Sequence, residues 1–434
     1  MKPFVPALLL LALASCGGPA RLPLEAGIGP RPQLPPPENA LIPAIDVAKA
    51  TGWPAGLSPA AAPGLKVNAF ATGLDHPRWL YVLPNGDVLV AETNGPGTDP
   101  GPPGIKGYFF KEFKKKAGSD VPSANRITLL RDADGDGLAE TRSTLISGLK
   151  SPFGMALVGD QLFIANADSL VAVPFHAGMT SVTAAPRQVA SLPSGRNHHW
   201  TKSLVASPDG RWLYVGVGSN SNVGENGMGI EQGRAAVWQI DPRTGSAHVL
   251  ATGLRNPVGI AWNPWSGALW AAVNERDEIG SDLVPDYITS VRDGAFYGWP
   301  YSYFGQHVDV RVKPPRPDLV ASAVVPDYAL GPHVAALGLT FSTGQALGPA
   351  FAQGAFVGEH GSWNRKPQSG YKVIFVPFSG AQPSGTPVDV LTGFVSGGKA
   401  FGRPVGVQVA RDGSLLVADD VGNTVWRVSN SRSR

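Results

Sequence analysis

An all-β chain folded as a six-bladed β-propeller is predicted by three observations. First, one outline recurs: a polar loop, a strand, a turn carrying Gly, Asp or Asn, and a second strand. It is legible at Gly73-Leu74-Asp75-His76-Pro77, Gly148-Leu149-Lys150-Ser151-Pro152, Asn197-His198-His199-Trp200 and Gly253-Leu254-Arg255-Asn256-Pro257, and more loosely at Leu337-Gly338-Leu339 and Arg403-Pro404-Val405. Copies about 50–80 residues apart match blades with room for insertions. Second, residues flanking turns such as Pro208-Asp209-Gly210 alternate in the manner of half-buried strands. Third, 54 glycines and 41 prolines accompany 43% hydrophobic content with scarce helical periodicity, so short strands and turns fit better than disorder, and a sizeable core can be buried.

Taken in order, Met1-Lys2-Pro3 and the apolar run from Phe4 to Leu13 form an export signal too short to span a bilayer. Leu13-Ala14-Ser15-Cys16 closes it as a lipoprotein cleavage site, so residues 1–16 are expected to be a signal peptide. The alternative is an ordinary signal peptide with a chance cysteine. A lipidated Cys16 would hold the protein on a membrane, and Gly17 favours the periplasmic side of the outer membrane in the cell envelope. Cys16 is the one cysteine of the chain, which excludes a disulfide. Residues 17–64, rich in Pro, Gly and Ala, read as a flexible tether. One domain is expected over 65–430, because the repeat runs through nearly all of it. A net charge of +3 with no basic stripe among aromatics argues against a nucleic-acid partner.

Residues 65–71 and 424–428 both alternate, and pairing them in one sheet would close the ring and remove two exposed edges. The long insertion from Thr93 to Ala124 holds Lys114-Lys115-Lys116, read as a solvated loop or short helix in preference to a lipid-binding patch. In Asp132-Ala133-Asp134-Gly135-Asp136-Gly137, alternate carboxylates Asp132, Asp134 and Asp136 could converge on a structural Ca²⁺; the alternative is a polar hairpin turn. His198 and His199 are adjacent, so their side chains oppose, and a single imidazole acting as a base fits better than a metal pair. His199, Arg255-Asn256, the stretch from His360 to Arg365, and Arg403 occupy similar places in their repeats, where propeller loops gather around the channel. Converging arginines there suit a small ligand with several carboxylates, and few acidic partners are apparent for them.

The sequence resembles the soluble pyrroloquinoline-quinone (PQQ)-dependent sugar dehydrogenases, particularly their sorbosone and pyranose dehydrogenase relatives. The resemblance covers roughly residues 65–430. It rests on His198-His199-Trp200-Thr201-Lys202, Leu254-Arg255-Asn256-Pro257-Val258-Gly259, Tyr297-Gly298-Trp299-Pro300, Glu359-His360-Gly361-Ser362-Trp363-Asn364-Arg365 and Gly402-Arg403-Pro404-Val405. It implies a six-bladed propeller that oxidises a sugar hydroxyl or aldehyde hydrate with PQQ and Ca²⁺ and passes electrons to an external acceptor. His199 is then the catalytic base and Arg255 the arginine beside the reactive carbonyl. Asn256, Arg365 and Arg403 become cofactor contacts, and the main-chain carbonyls of Glu275 and Arg276 calcium ligands. A second cofactor arginine of the family is replaced by Val405. The rival readings are a calcium-dependent lactonase-like hydrolase, for which Glu92, Asn166 and Asn274 would form a cage, and a non-catalytic binding propeller.

Overall fold

In the computed structural model, which describes residues 17–101, 104–342 and 344–432, the alternating segments form mostly antiparallel sheets. Residues 1–16, expected as a signal peptide ending at Cys16, lie outside the described residues. The first sheet contains Pro77–Val82, Val88–Glu92, Arg126–Arg131 and Thr141–Ile146. The second begins at Met155–Val158, the third at Leu204–Ala206, the fourth at Pro257–Trp262 and the fifth at Ala336–Phe341. The sixth joins Pro404–Val409, Leu415–Asp419 and Thr424–Asn430 to Leu65–Ala71, with Val428 opposite Val67. The two ends of the repeat region therefore share a sheet, as their alternation predicts.

Neighbouring sheets meet through their first strands. A Cβ at Gly259 would lie 2.6 Å from the Leu337 carbonyl oxygen, and one at Gly338 would lie 2.3 Å from that of Val405. Only glycine permits so close an approach of two backbones. Gly406 abuts Arg78 and Trp79, which brings the sixth sheet against the first. Trp79 in turn packs on Phe153, ring centroids 4.6 Å apart, at the start of the second. Between these strands the branched and aromatic side chains form buried cores, such as Leu89, Ile127, Phe153 and Ile164.

Residues 17–64 are not the flexible tether their composition suggests. Ile28–Gly29 pairs with Tyr328–Pro332 at the edge of the fourth sheet, and Ala60–Ala61 pairs with Val388–Thr392 at the edge of the fifth. Lys49–Ala50 runs parallel to Lys399–Ala400. Ala44, Val47 and Ala48 are buried, and the Trp53 indole N–H donates to Asp419 Oδ2 at 2.7 Å. The physical reason lies in the sheets: outer strands leave unpaired edges, and an extended segment with few N–H groups of its own can cover them. The insertion after Glu92 contains a helix, Gly104–Lys116, so the lysine run is helical.

Candidate active site

The loops that precede each first strand, and those joining second to third strands, collect at one end of the sheets. There they enclose a cavity of about 280 Å³ lined by His198, His199, Arg255, Asp277, His333 and Arg403, among others. A larger and more open groove of about 740 Å³ lies beside it, lined by residues such as Pro96, Ser123 and Ala167 and by no histidine or arginine. The groove carries Asp120, Lys150 and Asp168, whereas the smaller cavity alone of the two brings imidazoles and guanidinium groups together.

His199 is half-buried, and Gly218 lets it sit close to the strand behind: a Cβ there would lie 2.5 Å from His199 Cβ. Its Nδ1 is 2.8 Å from the Ser219 carbonyl oxygen, which can only accept, so Nδ1 carries the proton and Nε2 keeps its lone pair. Burial, then the Arg255 and His198 charges, hold the imidazole well below its ordinary pKa, hence neutral. His198 does not oppose it as adjacent strand residues would: the pair lies in a loop, both rings line the cavity with centroids 4.7 Å apart, and His198 Nδ1 is 2.8 Å from Asp99 Oδ2. Asp99 is held far below the usual carboxylate range, first by His198 and further by the Gly101 N–H and Arg196, against the raising effect of burial.

Arg255 is fully engaged. Its guanidinium donates to the Glu275 carbonyl at 2.6 Å, to Asn222 Oδ1 at 3.0 Å and to Asp277 Oδ2 at 3.2 Å. The scarcity of acidic partners read from the sequence is thus corrected for Arg255, because Asp277 arrives from a loop that spacing does not place. Burial alone would raise the Asp277 pKa, but His333, Arg255 and Asn364 outweigh it and lower it. Reciprocally, Asp277 raises His333 despite the opposing effect of burial.

Arg403 is different. It lies over the Tyr371 ring, 4.8 Å from the centroid, and its Nε and Nη2 are buried without a hydrogen-bond partner. Asp420 turns its Oδ2 to Arg78 at 2.6 Å and His360 at 2.9 Å, and its Oδ1 is buried without a hydrogen-bond partner. Burial, with help from Arg403 and Arg78, pushes His360 down to about 4 although Asp420 opposes the shift.

The other expected residues divide. Asn256 is buried behind the cavity wall, its Oδ1 unpartnered and packed against Gly218, so it does not line the cavity as expected. Arg365 turns away too: its Nη1 donates to the Pro367 carbonyl at 2.7 Å, and its Nη2 is 3.9 Å from Asp282. The Glu275 carbonyl, expected as a calcium ligand, instead accepts from Arg255, and a guanidinium in that place repels a cation. The Arg276 side chain is buried between Glu275 and Asp309. Asp132, Asp134, Asp136 and Glu140 bring ligand oxygens within 4.8 Å of one another on the surface, while also accepting from N–H groups of their own turn. The lactonase cage does not assemble. Glu92 is locked to Arg126 at 2.6 Å and Asn166 accepts from the Lys150 N–H, which leaves Asn274 alone at the cavity.

Sequence reasoning missed Asp277, His333 and the helix wall of Phe110, Phe113 and Lys114. Each stands in a loop or insertion without a motif of its own. An acid four residues beyond the strand Leu269–Val273, in a loop after the Arg255 repeat, is the signal that could have been read.

The TrAA12-like family profile matches residues 123–288 and 320–431. The chain belongs to this family. With it comes membership of the PQQ-dependent sugar dehydrogenases, in agreement with the resemblance read from the motifs. An uncharacterised protein of Borreliella burgdorferi is 28% identical over 300 residues, covering 66% of this chain and 77% of that protein. A PQQ-dependent pyranose dehydrogenase of Coprinopsis cinerea is 26% identical over 309 residues, 57% of this chain and 42% of the fungal protein. The match thus spans less than half of that relative. Among solved structures, the holo PQQ domain of the Coprinopsis cinerea pyranose dehydrogenase superposes with a TM-score of 0.68 at 22% identity, covering 88% of this chain and 100% of the domain. A Trichoderma reesei family AA12 enzyme gives 0.70 at 19% identity, over 89% and 99%. These superpositions support the fold.

Proposed function

We propose that this TrAA12-like chain is a PQQ-dependent dehydrogenase that oxidises a sugar hydroxyl or aldehyde hydrate and delivers the electrons to an external acceptor. The six sheets, with the sixth against the first, are read as the blades of a closed propeller. The reading is carried by one observation: a neutral imidazole of fixed tautomer shares a cavity with an arginine whose buried donors lack partners. A buried cationic donor left unpaired is costly, and a ligand carboxylate would satisfy it. The residues present therefore fit an acidic quinone, held by Arg403 on one side and by the Arg255–Asp277 assembly on the other.

When bound, the quinone supplies a two-electron acceptor for hydride. The protein's own part is positional and protolytic. The Ser219 carbonyl fixes the ring of His199, whose Nε2 accepts the proton of the substrate hydroxyl. Arg255, held by Asn222, Glu275 and Asp277, keeps a positive charge next to the reacting atoms. Calcium receives no step, because the carbonyl expected to bind it accepts from Arg255. Residues 1–16 and lipidation at Cys16 would place this activity on the periplasmic side of the outer membrane.

The test is single-turnover reduction of quinone-loaded protein by aldoses. His199→Ala should slow reduction by about 10²–10⁴-fold, the usual worth of a general base, with quinone affinity little changed. Wild-type reduction rates in the variant, or no quinone absorbance in the reconstituted wild type, would remove the proposal.

A further inference from the structure

The helix Gly104–Lys116 presents two faces with unlike tasks. Phe110, Phe113 and Lys114 line the cavity, and Phe110 stacks on His198 with centroids 6.1 Å apart. The outer face is left uncovered: Tyr108 is 65% and Phe109 51% exposed, and Lys111, Lys115 and Lys116 stand exposed around them. None of these three lysines forms a salt bridge among the described residues, and Glu112 is the single acid of the helix. Aromatic rings held in water beside unpaired lysines have the composition of a helix lying in a membrane interface, rings at the acyl boundary and ammonium groups among phosphates. Among the described residues no helix is long and apolar enough to cross a bilayer, so the pattern suits a surface contact.

We propose that this outer face docks on an anionic phospholipid bilayer and holds the mouth of the cavity at the headgroup layer. Charge complementarity selects the occupant: a basic face with one acid fits a phosphate surface, and the exposed rings add an apolar contact that a purely acidic partner would not use. A second observation fixes the orientation. The Gly18 carbonyl accepts from Ser281 Oγ at 2.8 Å, and the Ala20 N–H donates to the Lys366 carbonyl at 2.6 Å. The loops that hold these residues also supply Asp277 and Asn364 to the cavity. Residues 17–20 and the basic helix therefore stand at the same end of the sheets, and a bilayer at that end meets both. The inference goes beyond the proposed reaction and stands apart from it, since vesicle binding needs neither quinone nor sugar.

The experiment is co-sedimentation with vesicles of phosphatidylcholine alone and of an equal mixture with phosphatidylglycerol. The readout is the ratio of the two partition coefficients, so that any acyl anchor at Cys16 contributes to both and cancels. A lysine near an anionic surface is worth about fivefold in partitioning, so Lys111→Ala/Lys115→Ala/Lys116→Ala should lower the ratio by on the order of a hundredfold at low salt. Tyr108→Ser/Phe109→Ser keeps the charges and should lower binding to the mixed vesicles several-fold. Both variants leave the cavity lining intact, and circular dichroism confirms folding. A ratio near one in the wild type, or a ratio unchanged by the lysine variant, overturns the proposal. Capture by immobilised polyglutamate without preference for anionic vesicles also overturns it, and assigns the face to an acidic protein.

Discussion

Two arginines on the same cavity teach opposite lessons. Arg255 has its guanidinium satisfied by the Asn222 and Asn274 side chains, the Glu275 carbonyl and Asp277. Arg403 has a ring beneath it and two buried donors with nothing to donate to. Burying a paired cation organises a structure, whereas burying an unpaired one lowers stability until a ligand arrives. Arg255 is accordingly part of the scaffold of the site as well as of its chemistry. Arg403 is a socket, built at the expense of the empty protein.

The largest effect should come from breaking the satisfied arginine. Arg255→Ala leaves Asp277 without its arginine and the Glu275 carbonyl without its donor, so the quinone-free protein should lose about 3–5 kcal/mol, the cost of removing one partner of a buried pair. Urea unfolding of the apo-protein measures it. A loss below about 1 kcal/mol would show that His333 and Asn364 suffice to hold Asp277, and would move Arg255 from scaffold to ligand.

Arg403→Ala should do the reverse. Removing it relieves two unpartnered donors but also deletes the contact with the Tyr371 ring, so apo stability should change far less than in Arg255→Ala, by about 1 kcal/mol at most. Quinone affinity should fall by about 10–100-fold, the worth of one charge-assisted contact, while the bound fraction keeps much of its turnover. Equal loss of stability in both variants would erase the comparison.

The sequence shows the scaffold better than the socket, for a physical reason. Strand alternation is a local property, so the pairing of Leu65–Ala71 with Thr424–Asn430 could be read from residues at opposite ends of the chain. His199 was legible because the family resemblance, counted back from the Pro208-Asp209-Gly210 turn, implies a catalytic base at that position. Side-chain direction beyond a strand end is set by the contacts of the loop, so Asn256 and Arg365, chosen by motif position, turned out to lie outside the cavity wall. Asp277 and His333 meet, 3.5 Å apart, because they follow two strands of the fourth sheet, Leu269–Val273 and Tyr328–Pro332, that lie far apart along the chain. The strap 17–64 was misread because Pro- and Gly-rich composition describes a free chain and a chain laid on sheet edges alike.

The smallest effect tests whether unpaired charge is kept only where a ligand can answer it. Glu359, at the end of the strand Gly354–Glu359, is buried with Oε2 unpartnered, like Arg403, but it does not line the cavity. Burial pushes its carboxyl up to about 8 although Lys372 opposes the shift, with Asp389 and Asp286 adding to it. At neutral pH Glu359 therefore discards its charge, whereas a guanidinium cannot. A carboxyl whose folded pKa lies above its unfolded value stabilises fully below the unfolded pKa, and that contribution is lost as the pH rises through the folded one. Between pH 5 and pH 8 the wild type should lose stability from this source, and Glu359→Gln, which cannot ionise, should not. Local opening that admits water limits the observed gap to on the order of 1 kcal/mol at pH 8. Asp286, pushed up to about 7 by burial, titrates in the same window, so the readout is the variant-minus-wild-type difference in urea midpoint, in which Asp286 largely cancels. If that difference stays flat from pH 5 to pH 8, Glu359 is ionised and paired in solution, and the contrast between a charge kept at Arg403 and one given up at Glu359 fails.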